Sequence, residues 1–223
     1  FLPVILLALL AAAGCKKYVD KGLPDQFEDG DFWRSEDNVR LYNWPFYEMF
    51  MGFGNGQVQG DFYFTSLSDD QAAPGLQLFT TNIPATSGKW DFSYIRKANI
   101  MLERIDKVPM TDEAKNHWKG VARFFRALSY FNLVKEYGDV PWLGHSLDIA
   151  DTSVIYKPRD SRTLVMDSVL ADLDFAIANV RTKDQDNTIT KDVALALKSR
   201  LCLFEGTWRK YHNTPQLPDA AKF

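Results

Sequence analysis

The stretch Trp118–Trp142 reads WKGVARFFRALSYFNLVKEYGDVPW. Apolar residues at 118, 121, 125 and 128, with a second row at 124, 127, 131 and 134, recur three or four apart. That spacing stacks side chains on one side of an α-helix. Two apolar rows require two neighbours, so this helix is expected to lie between others, with Lys119, Arg123, Arg126 and Lys135 facing water. Thr111, followed by Asp112 and Glu113, reads as an N-cap with acids in the first turn, where the helix dipole favours them. Gly138 can adopt the left-handed conformation that ends a helix, and Pro141 keeps the helix from resuming.

On the N-terminal side, Trp90, Tyr94, Ala98, Met101, Ile105 and Val108 predict a second helix that stops at Pro109. Across the short turn to Thr111 it should fold back antiparallel as a helical hairpin. On the C-terminal side a long connection to about Arg159 holds Trp142, His145 and Tyr156. Asp160 or Ser161 then starts a third helix with Met166, Val169, Leu173, Ile177 and Val180 inward. Thr190 caps a fourth, with Val193, Leu197, Leu201, Phe204 and Trp208 inward. The expected fold is mostly α: two helical hairpins, at 90–137 and 161–210, joined by long loops. Ala122, Ala127, Ala194, Ala196 and Ser199 are small enough for the close approach of tetratricopeptide-like helix pairs. The hairpins start about 70 residues apart, against 34 in a strict tetratricopeptide array.

Nearer the start, Ser35 with Asp37 and Asn38 predicts a capped helix carrying Val39, Leu41, Tyr42, Phe46, Met49 and Phe50, bent or divided at Pro45. Gly52, Gly54 and Gly56 interrupt regular structure. Val58 to Leu67 alternates in part, with Phe62 and Phe64 against Asp61 and Tyr63, which fits a minor β hairpin. Thr65 to Lys89 is a polar stretch rich in Ser, Asp, Gly, Pro and Thr, with Ser68-Asp69-Asp70 near its start. Connections of about 25 residues in compact domains are usually functional or disordered.

The 223 residues, 46% of them hydrophobic, carry a formal net charge of -3 and have the makeup of a globular domain able to bury a sizeable core. Charge is mixed along the chain without a basic block, so no nucleic-acid partner is expected. Phe1 to Ala13 is an apolar run of about 13 residues, short of the roughly 20 that span a bilayer, and suits the core of a secretory signal. Ala12-Ala13-Gly14-Cys15 looks like a bacterial lipobox, with cleavage before Cys15 and a lipid on its thiol; the alternative is a signal that merely ends near a cysteine. A disulfide would have to join Cys15 to Cys202, and Cys202 reads better as a small core residue. The expected layout is a truncated signal peptide at 1–14, a polar tether at 15–30 and the N-terminal part of a helical domain at 31–223.

Metal and catalytic chemistry finds little support. His117, His145 and His212 lack ligand spacing. Asp184-Gln185-Asp186-Asn187 opens like a calcium loop, but Ile189 and Leu195 stand where such a loop needs Gly and Glu. No nucleophile elbow, phosphate-cradling loop or dinucleotide fingerprint is present, so no metal, cofactor or catalytic residue is expected. Asp69 and Asp70 are half of what a glycoside hydrolase would need; adjacent acids in a polar loop are more often caps or solvated charges. Their functional reading is hydrogen bonding to sugar hydroxyls. Tyr42, Trp44, Tyr47, Phe62, Tyr63 and Trp142 are candidate stacking platforms, each competing with core burial. Asp69, Asp70, Tyr42, Trp44 and Tyr63 are the candidate ligand-binding residues.

The run Gly120 to Pro141, through Ala122-Arg123-Phe124-Phe125-Arg126-Ala127, Tyr130-Phe131-Asn132-Leu133-Val134 and Tyr137-Gly138-Asp139-Val140-Pro141, resembles the signature of the SusD/RagB family of nutrient-uptake lipoproteins. Val121 stands where that family usually has Glu. Cys15 to Asp20 and Phe32 to Asn38 resemble the mature start of its members, and Ser68-Asp69-Asp70 matches a family triplet in what then reads as an ordered surface loop. The resemblance implies a tetratricopeptide-like scaffold continuing for several hundred further residues. It also implies a lipid anchor at Cys15 on the outer membrane, at the cell surface. A glycan or other nutrient oligomer would be the ligand, and a TonB-dependent SusC-like transporter the partner. Two other classes stay open: a lipid-anchored all-α glycoside hydrolase, and a tetratricopeptide-like scaffold for protein partners.

Overall fold

A computed structural model describes residues 32–50 and 88–212. The predicted signal, tether and β hairpin, and most of the loop carrying Asp69 and Asp70, lie outside those residues. The helices are α1 (Glu36–Asn43), α2 (Ser93–Arg104), α3 (Asp112–Tyr137), the single turn α4 (Thr152–Ile155), α5 (Arg162–Asn179) and α6 (Lys191–His212), with 3-10 segments at Trp44–Met49 and Ile105–Lys107. Among the described residues the β contact is one antiparallel bridge, Val140 to Asp160.

α3 is the central element. Thr111 caps it, its hydroxyl accepting from the Ala114 N–H at 3.2 Å, and Gly138 ends it at φ 70°. α3 packs against α5 over most of its length and against α2. Gly120 leaves no room for a side chain there: a Cβ would lie 2.7 Å from Val180 Cγ2 and 3.5 Å from the Ala176 Cα of α5. Of the small residues singled out above, Ala122, Ala127 and Ala194 are buried, whereas Ala196 and Ser199 are exposed.

Phe125 is fully buried, its ring stacked on Phe46 at 5.0 Å and edge-on to Tyr47 and Phe124 at 5.1 and 5.2 Å. The segment from α1 into the 3-10 turn therefore closes the core over α3. Ser35 starts α1, accepting from the Asn38 N–H at 3.2 Å. Pro45 divides the expected single helix: its ring nitrogen carries no N–H, and it stands in the first turn of the 3-10 segment, where that donor is not needed. α5 begins after Ser161, which accepts from the Leu164 N–H at 3.3 Å.

Three expectations are corrected. Arg126 is buried, not water-facing, because its guanidinium forks onto Asp172 of α5 through Nε at 2.7 Å and Nη2 at 2.8 Å. α2 begins at Ser93, not at Trp90, since Asp91 accepts from the Ser93 N–H at 2.8 Å and starts the helix there. Val193 alone of the expected α6 row is exposed, at 37%; Leu201 is buried and Leu197 and Phe204 pack against the core, with Ala194, Glu205 and Arg209 also inside. The charged residues buried on α6 are paired. Glu205, fully buried, is bonded by Arg209 Nε at 2.8 Å and by the Arg162 guanidinium, and a buried carboxylate needs such partners.

The connection from α3 to α5 is irregular yet tightly held. Its base is closed by the Val140–Asp160 bridge, by the Trp142 N–H donating to Asp160 Oδ2 at 2.6 Å, and by Lys157 Nζ reaching both the Trp142 carbonyl at 2.7 Å and Asp160. Asn99 donates to the carbonyls of Leu143 and His145 at 2.8 and 2.9 Å, and Arg126 to that of Gly144 at 3.3 Å. The Leu143 N–H donates to the Tyr130 hydroxyl at 2.6 Å, Ser146 to Glu103, and Arg96 to the Leu147 carbonyl. From Leu143 to Leu147, six backbone polar groups thus bond to side chains of α2 and α3, as irregular chain against a core requires.

Candidate ligand-binding groove

An open groove of about 290 Å³ runs along the C-terminal half of α3. Ser129, Asn132 and Leu133 come from α3, Tyr94 from the first turn of α2, and Met49 from the 3-10 segment; Lys89, Asp91, Lys135 and Glu136 edge it. The helical period brings Ser129, Asn132, Leu133 and Glu136 to one side of α3. Lys89 Nζ reaches Glu136 Oε1 at 2.6 Å across the edge. The Tyr94 hydroxyl donates to Glu48 at 3.3 Å, and burial, with Glu48 adding to it, holds this phenol above its ordinary pKa. Tyr94 is therefore a neutral donor with a ring attached, beside the exposed Asn132, whose amide can both donate and accept. An aromatic ring among converging polar groups suits a neutral, polyhydroxylated ligand.

Tyr42 and Trp44 do not line this groove. The Tyr42 hydroxyl donates to the Lys97 carbonyl at 3.1 Å, and its ring lies between Trp33, at 4.8 Å, and the Lys97 ammonium, at 5.3 Å. Trp44 is 43% exposed beside Tyr47, with ring centroids 5.4 Å apart. Cys15, Tyr63, Asp69 and Asp70 lie outside the described residues. In the sequence Tyr94 reads as one member of a helical apolar row, and Asn132 as one polar residue in an apolar helix. The legible signal is an amide on α3 four residues before Glu136 and near the helix end at Gly138.

Among the described residues no group of three or more His, Cys, Asp and Glu side chains is placed to hold a metal. Asp184, the first acid of the calcium-like stretch, accepts from Arg40 Nη1 at 3.1 Å. Beside it is His117, 1% exposed, whose Nδ1 accepts from the Arg181 N–H at 3.2 Å. The neutral ring therefore carries its proton on Nε2, 3.7 Å from Asp184 Oδ2. Arg181 in turn binds Glu113 at 2.8 Å and Glu36 at 2.9 Å, and Trp118 Nε1 donates to Glu36 at 2.9 Å. The cluster joins α1, α3 and the chain after α5.

Burial, assisted by Arg181 and opposed by Asp184, Glu113 and Glu36, pushes the His117 imidazole down to about 4. Above its unfolded pKa, near 6.5, the ring is neutral in both states and costs nothing. As pH falls from about 6.5 toward 4 the unfolded chain takes up a proton that the folded chain does not, so folding should weaken by about 3 kcal/mol over that window. Urea unfolding at stepped pH is the measurement; His117→Phe should flatten this part of the profile, and an unchanged slope would assign it to other groups.

The architecture is a helical-hairpin scaffold whose irregular segments are fixed by side-chain bonds and which bears an open groove. Residues 61–203 match the SusD-like family, described as starch-binding and associating with the outer membrane; the chain belongs to this family. It is 26% identical over 215 residues to SusD-like protein P38 of Formosa agariphila, covering 90% of this chain and 41% of that protein. With a SusD-like protein of Bacteroides ovatus the identity is 22%, over 93% of this chain and 39% of that one. The fold is shared with a SusD-like carbohydrate binding protein of Bacteroides fragilis, at a TM-score of 0.62 and 21% identity over 84% of this chain and 42% of that chain. A second Bacteroides fragilis SusD-like protein gives 0.57 and 24% over 85% and 39%. The chain thus spans about two-fifths of the length of these relatives.

Proposed function

We propose that this chain is the N-terminal part of a non-catalytic glycan-capturing lipoprotein. It would bind an oligosaccharide, or another nutrient oligomer, at the outer membrane and pass it to a TonB-dependent SusC-like transporter. Residues 1–14 would be the signal, Cys15 the lipid-bearing residue, and 15–30 the tether that holds the body at the cell surface; a diacylated or triacylated Cys anchors firmly where one chain would not. Family membership supports the class of activity. The observation that carries the site is the groove, which sets the Tyr94 ring beside Asn132 and the edge pair Lys89–Glu136. Met49 and Lys89, both in its lining, lie within two residues of the two ends of the segment 51–87, which contains Tyr63, Asp69 and Asp70. Those three residues and the exposed Trp44 are proposed to complete the ligand surface; Tyr42 supports it through its bond to α2.

Hydrogen bonds to charged groups contribute about 1.5 to 3 kcal/mol each, so Asp69→Ala/Asp70→Ala should weaken glycan binding at least ~10-fold. Isothermal calorimetry of the full-length protein against a glycan panel, with circular dichroism as the folding control, is the test. A folded double variant that binds like wild type removes the two acids from the ligand surface. Release of cleavage products by the wild-type protein would replace the binding reading with a hydrolase.

A further inference from the structure

His117 pins the chain between α5 and α6 to α3, and that chain in turn holds the segment that carries Met49 to the groove. The pin is the Arg181 N–H, which donates to His117 Nδ1 at 3.2 Å; beside it the Arg181 guanidinium forks onto Glu113 at 2.8 and 2.9 Å. Residues 181–191 form a loop closed at its base, where the Lys191 N–H donates to the Arg181 carbonyl at 3.0 Å. Three bonds run between this loop and the segment from α1 to the 3-10 turn: Arg181 Nη1 to Glu36 at 2.9 Å, Arg40 Nη1 to Asp184 Oδ2 at 3.1 Å, and the Ile189 N–H to the Tyr47 hydroxyl at 3.0 Å. Tyr47 and Met49 share the 3-10 segment, and Met49 Sδ lies 3.6 Å from Ser129 Oγ in the groove lining.

Only one nitrogen of the His117 ring can take a second proton. Nε2 already carries one, facing Asp184 Oδ2 at 3.7 Å, so an imidazolium must be protonated at Nδ1, where the Arg181 N–H already points. Two N–H groups cannot share that bond, and protonation therefore requires the loop to leave. The charges around the ring set the balance. Arg181 opposes a cation, whereas Asp184 from the loop, Glu113 from α3 and Glu36 from α1 favour it; Arg40 of α1 is bound to Asp184. Glu113 is four residues before His117 on the same helix face, so the ring keeps an anion beside it after the loop departs.

We propose that His117 is the pin of an acid-released latch: a proton on Nδ1 displaces the Arg181 N–H, frees residues 181–191 from α3 and so slackens Tyr47 and the 3-10 segment, while α3 and α5 stay packed. The groove has its Met49 wall at neutral pH and loses it in acid. The latch goes beyond the ligand reading and does not depend on it. The surrounding carboxyls do not supply the same response above pH 5. Burial acts to raise Asp184 and Glu36 but is outweighed by their bonds from Arg40 and from Trp118 and Arg181, and the Arg181 bond lowers Glu113. All three lie below the ordinary carboxylate range and stay charged.

The test is backbone amide exchange of the full-length protein at pH 7 and pH 5, corrected for intrinsic rates. Burial, and after it the Arg181 charge, hold the closed ring at about 4, against about 6.5 for a freed one. Residues 181–191 and 36–49 should therefore open roughly 20-fold more at pH 5 than at pH 7. At both pH values they should open at least ~10-fold more often than residues 121–134 of α3, the mark of local rather than global opening. Equal protection in the two sets means that only global unfolding takes up the proton, which overturns the latch, as does unchanged opening at 181–191. His117→Asn offers an amide oxygen to the Arg181 N–H and has no titrating nitrogen, so it should keep wild-type protection at pH 7 and show no rise at pH 5. A rise that persists in this variant assigns the response to other groups and overturns the pin. The imidazole nitrogen chemical shifts of the wild-type protein need no variant: at pH 7 the His117 proton should be on Nε2, and a proton on Nδ1 overturns the proposal.

Discussion

Asp172→Ala is expected to destabilise the protein by about 3 to 5 kcal/mol, because it leaves a guanidinium buried between helices without its anion. Asp172 and Arg126 are 3% and 6% exposed, and their two parallel bonds at 2.7 and 2.8 Å cross from α5 to α3. Arg123, 3.8 Å from the same carboxylate, would also lose a partner. The loss should propagate, since Arg126 Nη1 binds Asn99 Oδ1 at 2.7 Å and Asn99 holds the Leu143 and His145 carbonyls. Denaturant unfolding of the full-length protein measures the first effect, and amide exchange at residues 143–147 the second. A variant within about 1 kcal/mol of wild type would contradict burial of the pair. Replacing both partners, as Arg126→Met/Asp172→Leu, should restore part of the stability, since no charge is then left unpaired.

Phe125→Ala should cost a comparable amount, about 3 to 5 kcal/mol, for a different reason: it opens a cavity in an apolar cluster. The ring is in contact with Phe46, Tyr47, Phe50 and Phe124, with centroids 5.0 to 5.9 Å away. Removing it unseats the 3-10 segment that carries Met49 to the groove, so the variant should lose ligand affinity as well as stability. Thermal melts report the first loss and calorimetry the second. A melting temperature within about a degree of wild type would show that the ring is not in the core.

Helices, caps and membership of the family were legible in the sequence because each rests on short-range rules. Thr111, Ser161 and Ser35 begin helices through side-chain bonds to an N–H three residues on, a contact complete within one turn and independent of what the helix packs against. Gly138 and Pro45 act through their own backbone geometry. The apolar rows of α3 came through for a similar reason: a residue with apolar neighbours three and four positions away shares a face with them in any tertiary context.

What tertiary structure alone decided is where charge goes. Arg126 reads as a solvent-facing residue until Asp172, 46 positions later, is known to stand opposite it; Glu205 and Arg162, 43 apart, pose the same problem on α6 and α5. An ion pair is buried only if both partners and their further hydrogen bonds arrive together, and no local periodicity encodes that coincidence. The groove has the same origin. Met49, Tyr94 and Asn132 are far apart in the chain and were read as core or helix residues. Their meeting beside the Lys89–Glu136 edge depends on how the 3-10 segment and α2 lie across α3.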